Sequence, residues 1–526
     1  MTAWWQGAVI YQIYPRSFAD ANGDGVGDLP GITARLPYVA ALGMDAIWLS
    51  PVFTSPMRDF GYDVADYRNI DRLFGTLADF DALVRAAHGL GLRVIIDQVY
   101  SHSSSDHPWF VASRRARSGP FADYYVWADP NPDGAPPNNW LSVFGGGAWT
   151  WEPRRRQYYL HNFLASQPDL NFHTPAVQDE MLAVARFWLD RGVDGFRLDV
   201  VNLYAHDTAL RDNPPSGLTG VVKPYDMQRH LYDRSRPETF SFVRRLRAVL
   251  DAYPGRMALG EIFTTRPVER MAEYTGGPDR LHTAYSFVFL GNTLTPELVR
   301  TTVEDLRTQA PSCWPSWAFE NHDVARSLSR WGAGRPRDRW ARTLIALLTT
   351  LRGTAFLYQG QELGLPQADL PFAALRDPDG IAFWPDYKGR DGCRTPMPWS
   401  TALHGGFSVA TPWLPVPDEH LPLSVATQEA DATSLLRWVR GWLAWRRTVP
   451  ALRDGDIQFR DVPAPLLCFT RGSGPNGVTI VVNLGDTAAA LSWQGSPPVI
   501  AYDLGASWQA NQLVIPPACG AVLAGA

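Results

Sequence analysis

Cysteine is scarce in this sequence. The four present, Cys313, Cys393, Cys468 and Cys519, lie far apart in 526 residues. None sits in a C-x-x-C pair, which argues against a zinc site. Unpaired thiols fit a reducing compartment, so a cytoplasmic location is expected. No apolar stretch reaches ~18 residues, so no membrane span is expected. The start, Met1-Thr2-Ala3-Trp4-Trp5, lacks the basic residues followed by an apolar run that mark a secretory leader. Internal repeats and low-complexity tracts are absent. Neither sign of charge dominates: the net charge is −5, spread along the chain without a basic stripe. That excludes a dedicated nucleic-acid surface. A neutral small molecule needs no charged docking field and is compatible with this balance. Monomer and homodimer are both compatible with it.

Apolar residues are plentiful, at 45%, enough to fill a large core. Aromatics make up 12%, with 21 Trp. Such rings either stack on the C–H faces of sugars or fill the interior. Short apolar runs alternate with helix-period segments over the first three quarters of the chain. Strands are predicted at 8–14, 46–50, 94–99, 195–201, 258–263, 284–290, 317–320 and 355–358. Helices are predicted at 78–90, 177–191 and 341–351. Strands apolar on both faces suit a parallel sheet covered by helices. Eight strand–helix units favour an α/β fold of the (β/α)8 TIM-barrel type over an open sheet. Residues 101–172 are rich in Gly, Pro, Trp and Asn without helical period, too long for a bare loop. They are expected to form an inserted small domain after strand 3. The barrel is then 1–100 and 173–449. From 450 to 526, short strands at 466–470, 478–483, 491–493 and 513–515 predict a C-terminal antiparallel β-sandwich.

The polar residues of interest cluster at predicted strand C-terminal ends, where barrels of this type build their sites. They are Asp97-Gln98-Val99-Tyr100-Ser101-His102, Gly195-Phe196-Arg197-Leu198-Asp199, Gly260-Glu261 and Glu320-Asn321-His322-Asp323. Asp59-Phe60-Gly61-Tyr62-Asp63 follows the second strand. Side chains two apart on a strand share a face, so Arg197 and Asp199 are expected to project together. A guanidinium favours an ionised carboxylate beside it. Glu261, from the next strand, is placed to face Asp199. Taken singly, an Asp after a strand is more often a helix N-cap, and a lone His is usually structural. Taken jointly, the segments point to paired-carboxylate chemistry.

In order and spacing these segments resemble the α-amylase family of glycoside hydrolases, in particular its α-glucosidase and oligo-1,6-glucosidase branch. Gln167-Pro168-Asp169-Leu170-Asn171 resembles a further motif of that branch, and the likeness runs from about Trp4 to the C-terminus. The resemblance implies a retaining mechanism with Asp199 as nucleophile and Glu261 as general acid/base. Asp323 becomes the third carboxylate, which steadies the distorted sugar. His102 and His322 are implied as hydrogen-bonding partners of ring hydroxyls. Asp97 is expected to orient Arg197 or the strand ends. The first motif usually closes Asn-His; here it closes Ser101-His102.

The segment Gly392-Cys393-Arg394-Thr395-Pro396-Met397-Pro398-Trp399 resembles the one whose Arg pairs with an Asp to close the pocket floor in exo-acting members. Arg394 and Asp59 are the matching residues, and a closed floor implies release of glucose from short α-glucosides at the non-reducing end. Tyr62, Phe144, Phe163 and Gln167 match pocket residues of the branch. Val200, after the nucleophile, goes with α-1,6 activity, whereas Arg211-Asp212-Asn213-Pro214-Pro215 looks like bacterial enzymes acting on maltose and transferring glucose. These opposed cues favour disaccharide α-glucosides of several linkages, hydrolysed with some transfer. The alternatives are an oligo-1,6-glucosidase, or a sucrose- or trehalose-type glucosyltransferase or isomerase of the same family. A non-catalytic, membrane-anchored relative fits poorly, because all three carboxylates are present. Asp20, Asn22, Asp24, Val26 and Asp28 alternate on a Gly-rich loop, which suits a structural Ca²⁺ or Mg²⁺ and matches a metal site of the branch. An Asx turn would use the same residues. No organic cofactor is implied.

Overall fold

The computed structural model describes residues 3–525. Eight parallel strands form one sheet: β1 Val9–Ile13, β2 Ala46–Leu49, β3 Arg93–Gln98, β4 Gly195–Leu198, β5 Met257–Ile262, β6 Thr283–Ser286, β7 Ser316–Ala318 and β8 Thr354–Tyr358. Their hydrogen-bonded order is β6-β5-β4-β3-β2-β1-β8-β7. The remaining gap, between β6 and β7, is bridged by the hydroxyls of Thr283 and Ser316 at 2.7 Å. The sheet is thus a nearly closed barrel of the (β/α)8 type.

Strand periodicity explains why both faces are apolar. Val9, Tyr11 and Ile13 of β1 point outward into the large core shared with the helices, whereas Ala8 and Ile10 point inward. Inside, Ile10 belongs to one cluster with Trp48, Ile95, Leu259, Tyr285 and Phe356. The helix Leu77–Gly89 starts where Thr76 and Asp79 cap each other's backbone N–H groups. It buries Phe80, Leu83, Val84 and Ala87.

Between β3 and β4 lies a three-stranded antiparallel sheet of 127–128, 149–152 and 157–160. It packs around Trp140, Trp149 and Leu160. The same segment carries a short helix, Pro108–Ser113, which the composition did not reveal. At the C-terminus, a five-stranded and a three-stranded antiparallel sheet enclose Leu466, Cys468, Val481, Leu513 and Ile515. The strands 457–460, 500–504, 507–509 and 520–524 there escaped the sequence reading. Two barrel strands end early: β4 stops at Leu198, and β6 at Ser286, followed by a 3₁₀ turn. Tryptophan serves the interior. Trp48, Trp140, Trp188, Trp317, Trp340 and Trp442 are fully buried.

Candidate active site

The register places the carboxylates. Across the barrel floor Asp97 pairs with Arg197, and Arg197 with Leu259. One pleat further toward the C-terminal ends, Asp199 and Glu261 therefore lie in the same inward layer. Arg197, wholly buried, is the hub. Its Nη1 lies 2.8 Å from Asp97 and 2.5 Å from Asp199, and its Nη2 lies 2.5 Å from Glu261. Asp97 meets Arg197 as expected, and Glu261 shares it too: three carboxylates surround one guanidinium. Tyr285 donates its hydroxyl hydrogen to Glu261 Oε1 at 2.7 Å. The backbone N–H of Val200 reaches Glu261 Oε2 at 3.2 Å. That N–H is aimed by a left-handed backbone at Val200, φ 34° and ψ 50°, a conformation costly for a β-branched residue.

Burial sets the protonation. It pushes Asp199 and Glu261 each up to about 7, with Arg197 pulling both back. Asp97 is raised to about 6 in the same way. Three acids around one cation cannot all ionise cheaply, so the cluster retains a proton near neutrality and titrates as a unit. Asp323 behaves oppositely. Burial acts to raise it, but the surrounding cations, Arg394 and Arg390 among them, outweigh burial and hold it well below the usual carboxylate range. Burial pushes His102 down to about 4 and His322 well below its ordinary value, so both are neutral hydrogen-bonding groups. Tyr62 links His322 to the hub, its hydroxyl meeting Asp97 at 3.0 Å and His322 at 2.5 Å, while its backbone carbonyl meets His102 Nε2 at 3.0 Å.

These groups surround a cavity of about 170 Å³. Asp59, Tyr62, His102, Phe144, Phe163, Asp199, Glu261 and Asp323 line it. Ligand pockets commonly span ~300–1,000 Å³, so this one is sized for a single ring rather than a chain. Its aromatic wall is Phe and Tyr; no tryptophan lines it.

Across residues 12–455 the chain matches the model of the α-amylase catalytic domain. The chain belongs to the α-amylase family. It is 56% identical to a Rhizobium meliloti (strain 1021) protein described as "Probable alpha-glucosidase", over 92% of this chain and 90% of that one. An oligo-1,6-glucosidase of Heyndrickxia coagulans is 37% identical, over 93% and 94%. The solved structure of an alpha-glucosyl transfer enzyme, XgtA, superposes with a TM-score of 0.97 at 51% identity, covering all of both chains. As an α-amylase-family member the chain is a glycoside hydrolase, and retention is general to that family.

Within this α-amylase fold the floor of the cavity differs from expectation. Asp59 does not pair with Arg394. It pairs with Arg390 at 2.8 Å, and Arg390 also holds Asp377 at 2.7 Å. Arg394 sits one layer back, on Asp323 at 3.0 Å and on the His322 carbonyl at 2.6 Å. Both arginines occupy one short segment, and spacing alone does not say which turns toward Asp59. Gln167, Arg197 and His322 are likewise buried behind the cavity wall. Gln167 donates to Asp59 at 3.0 Å. Ser101 stands where an Asn was expected and bonds His102 Nδ1 at 2.8 Å, so its hydroxyl orients the ring. Lys223, Phe263, Phe287, Asp379 and Tyr387 also line the cavity and were not anticipated. Lys223, Asp379 and Tyr387 come from long irregular segments that carry no periodic signal, whereas Phe263 and Phe287 directly follow β5 and β6.

The Gly-rich loop is held by its own backbone. Asp28 caps the helix Leu29–Ala41, accepting from Gly31 N–H at 2.6 Å and also from Ala21 and Asn22 N–H. Asp20 accepts from Gly23 and Gly25 N–H. Among the described residues no three His, Cys, Asp or Glu side chains converge to hold a metal ion. The all-oxygen donor chemistry of Asp20, Asn22, Asp24 and Asp28 suits a hard cation, but a ready cage is not formed.

Proposed function

We propose that this chain is a retaining, exo-acting α-glucosidase that releases glucose from the non-reducing end of short α-glucosides such as maltose, with some transfer to sugar acceptors. One observation carries the reading: Asp199 and Glu261 are bridged by a single guanidinium at one ring-sized cavity whose floor is closed by Asp59 and Arg390. Retention is general to the family, and double displacement needs carboxyls ~5–5.5 Å apart, a spacing with which contact of both on one guanidinium is compatible.

Asp199 attacks the anomeric carbon while Glu261 gives its proton to the leaving oxygen. Water, activated by the ionised Glu261, then releases the sugar from Asp199 and restores the proton. Asp323, held anionic, stabilises the positive charge that develops on the ring. Tyr62, His102 and Asp59 face the ring hydroxyls, supported from behind by His322, Gln167 and Arg394, while Phe144 and Phe163 pack on its apolar face. A Ca²⁺ or Mg²⁺ on residues 20–28, if bound, is structural and enters no step. Four free cysteines fit a cytoplasmic setting.

The test is a substrate panel of maltose, isomaltose, sucrose and soluble starch, with products followed over time by NMR. Glucose must appear first as the α-anomer. Initial release of the β-anomer, or of long fragments from the interior of starch, would sink the proposal. Product profiles at high maltose concentration divide hydrolysis from transfer, the activity named for the superposed XgtA.

A further inference from the structure

At the rim of the cavity two segments meet around one ammonium group. Lys223 lies in the segment between β4 and β5, and Asp379 and Tyr387 in the one following β8; all three line the same cavity as Asp199 and Glu261. Lys223 and Asp379 form an ion pair in which the Asp side chain is 3% exposed and the Lys side chain 22%. The ammonium also stands 4.3 Å from the centre of the Tyr387 ring and 5.6 Å from that of Phe383. Phe383 in turn packs against the inserted segment: a Cβ on Gly145, whose φ is +96°, would stand 3.1 Å from its ring. The Lys223 side chain is 22% exposed, against 9% for Arg390 and 5% for Asp59, so this ammonium marks the open end, whereas Asp59 and Arg390 mark the closed floor.

Composition sharpens the point. Lys223 is one of two lysines among 48 basic residues. Arginine is this chain's ordinary cation, and lysine differs from it in presenting a compact charge with three donors on one atom. One donor of Lys223 goes to Asp379. The Tyr387 face takes a second direction. A third remains for an oxygen inside the cavity. Asp379 holds the ammonium there; its Oδ1 is buried and has no partner among the described residues.

We infer that Lys223 determines specificity on the leaving side of the scissile bond, donating a hydrogen bond to a hydroxyl oxygen of a neutral second sugar unit. The inference rests on the α-glucosidase reading above. A ring seated on the closed floor leaves only the rim for its neighbour, and an incoming sugar acceptor occupies the same place. Asp379 acts as the positioning residue.

The experiment compares kcat/KM for maltose with that for phenyl α-glucoside, whose leaving group carries no hydroxyl. It uses the wild type, Lys223→Met, and Lys223→Met combined with Asp379→Asn. The double variant removes the buried carboxylate that the single one leaves without a counter-charge. The maltose-to-phenyl ratio is expected to fall about tenfold in both variants, the scale of one lost charge-assisted hydrogen bond. Transfer of glucose to maltose should fall with it. A ratio unchanged in the double variant, whether both rates hold or both drop together, overturns the role of Lys223. Should the wild type cleave neither glucoside, the α-glucosidase reading itself fails.

Discussion

The guanidinium of Arg390 lies 2.8 Å from the carboxylate of Asp59, and both are buried. Asp377 sits on the same guanidinium at 2.7 Å, and Asp323 at 3.5 Å. Removing the cation strands several carboxylates in low dielectric. Arg390→Ala should cost about 3–5 kcal/mol of stability, the usual penalty for breaking a buried pair from one side. Thermal melting and maltose kinetics check this together. A melting temperature within a degree of wild type would mean that the floor is not held by this residue.

In the proposed reaction Glu261 protonates the leaving oxygen. Glu261→Gln keeps the shape but has no proton to give, so turnover of maltose should drop by about 10²–10⁴. An activated donor such as α-glucosyl fluoride needs no acid for its first step. It should load a glucosyl group onto Asp199 that mass spectrometry finds on the Asp199 peptide. An adduct located elsewhere would reassign the nucleophile.

The alkaline limb of the pH–rate profile reports loss of the proton shared by Asp199 and Glu261, each raised by burial to about 7. The Tyr285 hydroxyl donates to Glu261 and so favours its ionised form. Without that bond the neutral acid persists to higher pH. Tyr285→Phe should therefore move the alkaline limb upward by on the order of half a pH unit. A downward move would contradict the assigned direction of this hydrogen bond.

Asp169 is raised to about 7 by burial, opposed by hydrogen bonds from the Asn162 backbone and side chain. Its folded pKa lies above the unfolded one. The stability it contributes is therefore full below about pH 4 and is lost as the pH rises to about 7. Asp169→Asn removes this titration. Asn162 Oδ1 is buried without a partner among the described residues, so a flipped Asn162 amide can accept from the new side chain. The variant's melting temperature should gain on wild type between pH 5 and pH 8. A constant difference across that range would refute the assignment.

If the loop of residues 20–28 takes a cation, chelation should lower the melting temperature by a few degrees and added Ca²⁺ should restore it. The rate at 25 °C should not change, because the loop touches none of the three carboxylates. Equal melting curves with and without chelator would leave the loop a hydrogen-bonded turn.

Much of this was legible in the chain itself. Apolar runs at 8–14, 46–50, 94–99 and 355–358 announce barrel strands, and each overlaps one, because a strand covered on both faces is largely apolar. Weak edges were misjudged: β4 was expected to run to Val201 but ends at Leu198, where the chain turns into the left-handed conformation at Val200. Nothing in a Val marks that turn, since β-branched residues ordinarily favour strands. The C-terminal strands 500–504 and 507–509 were missed because half-exposed strands in a sandwich lack a continuous apolar signal.

The sequence by itself determined the barrel and the family, because strand periodicity and short motifs are local. Which arginine meets Asp59, how many acids share Arg197, and that Lys223 reaches Asp379 were decided only by the tertiary structure. Those pairings join residues 331, 64 and 156 positions apart in the chain. Long side chains on irregular segments acquire partners only when closure of the barrel fixes where each loop end stands, and no spacing rule spans such distances.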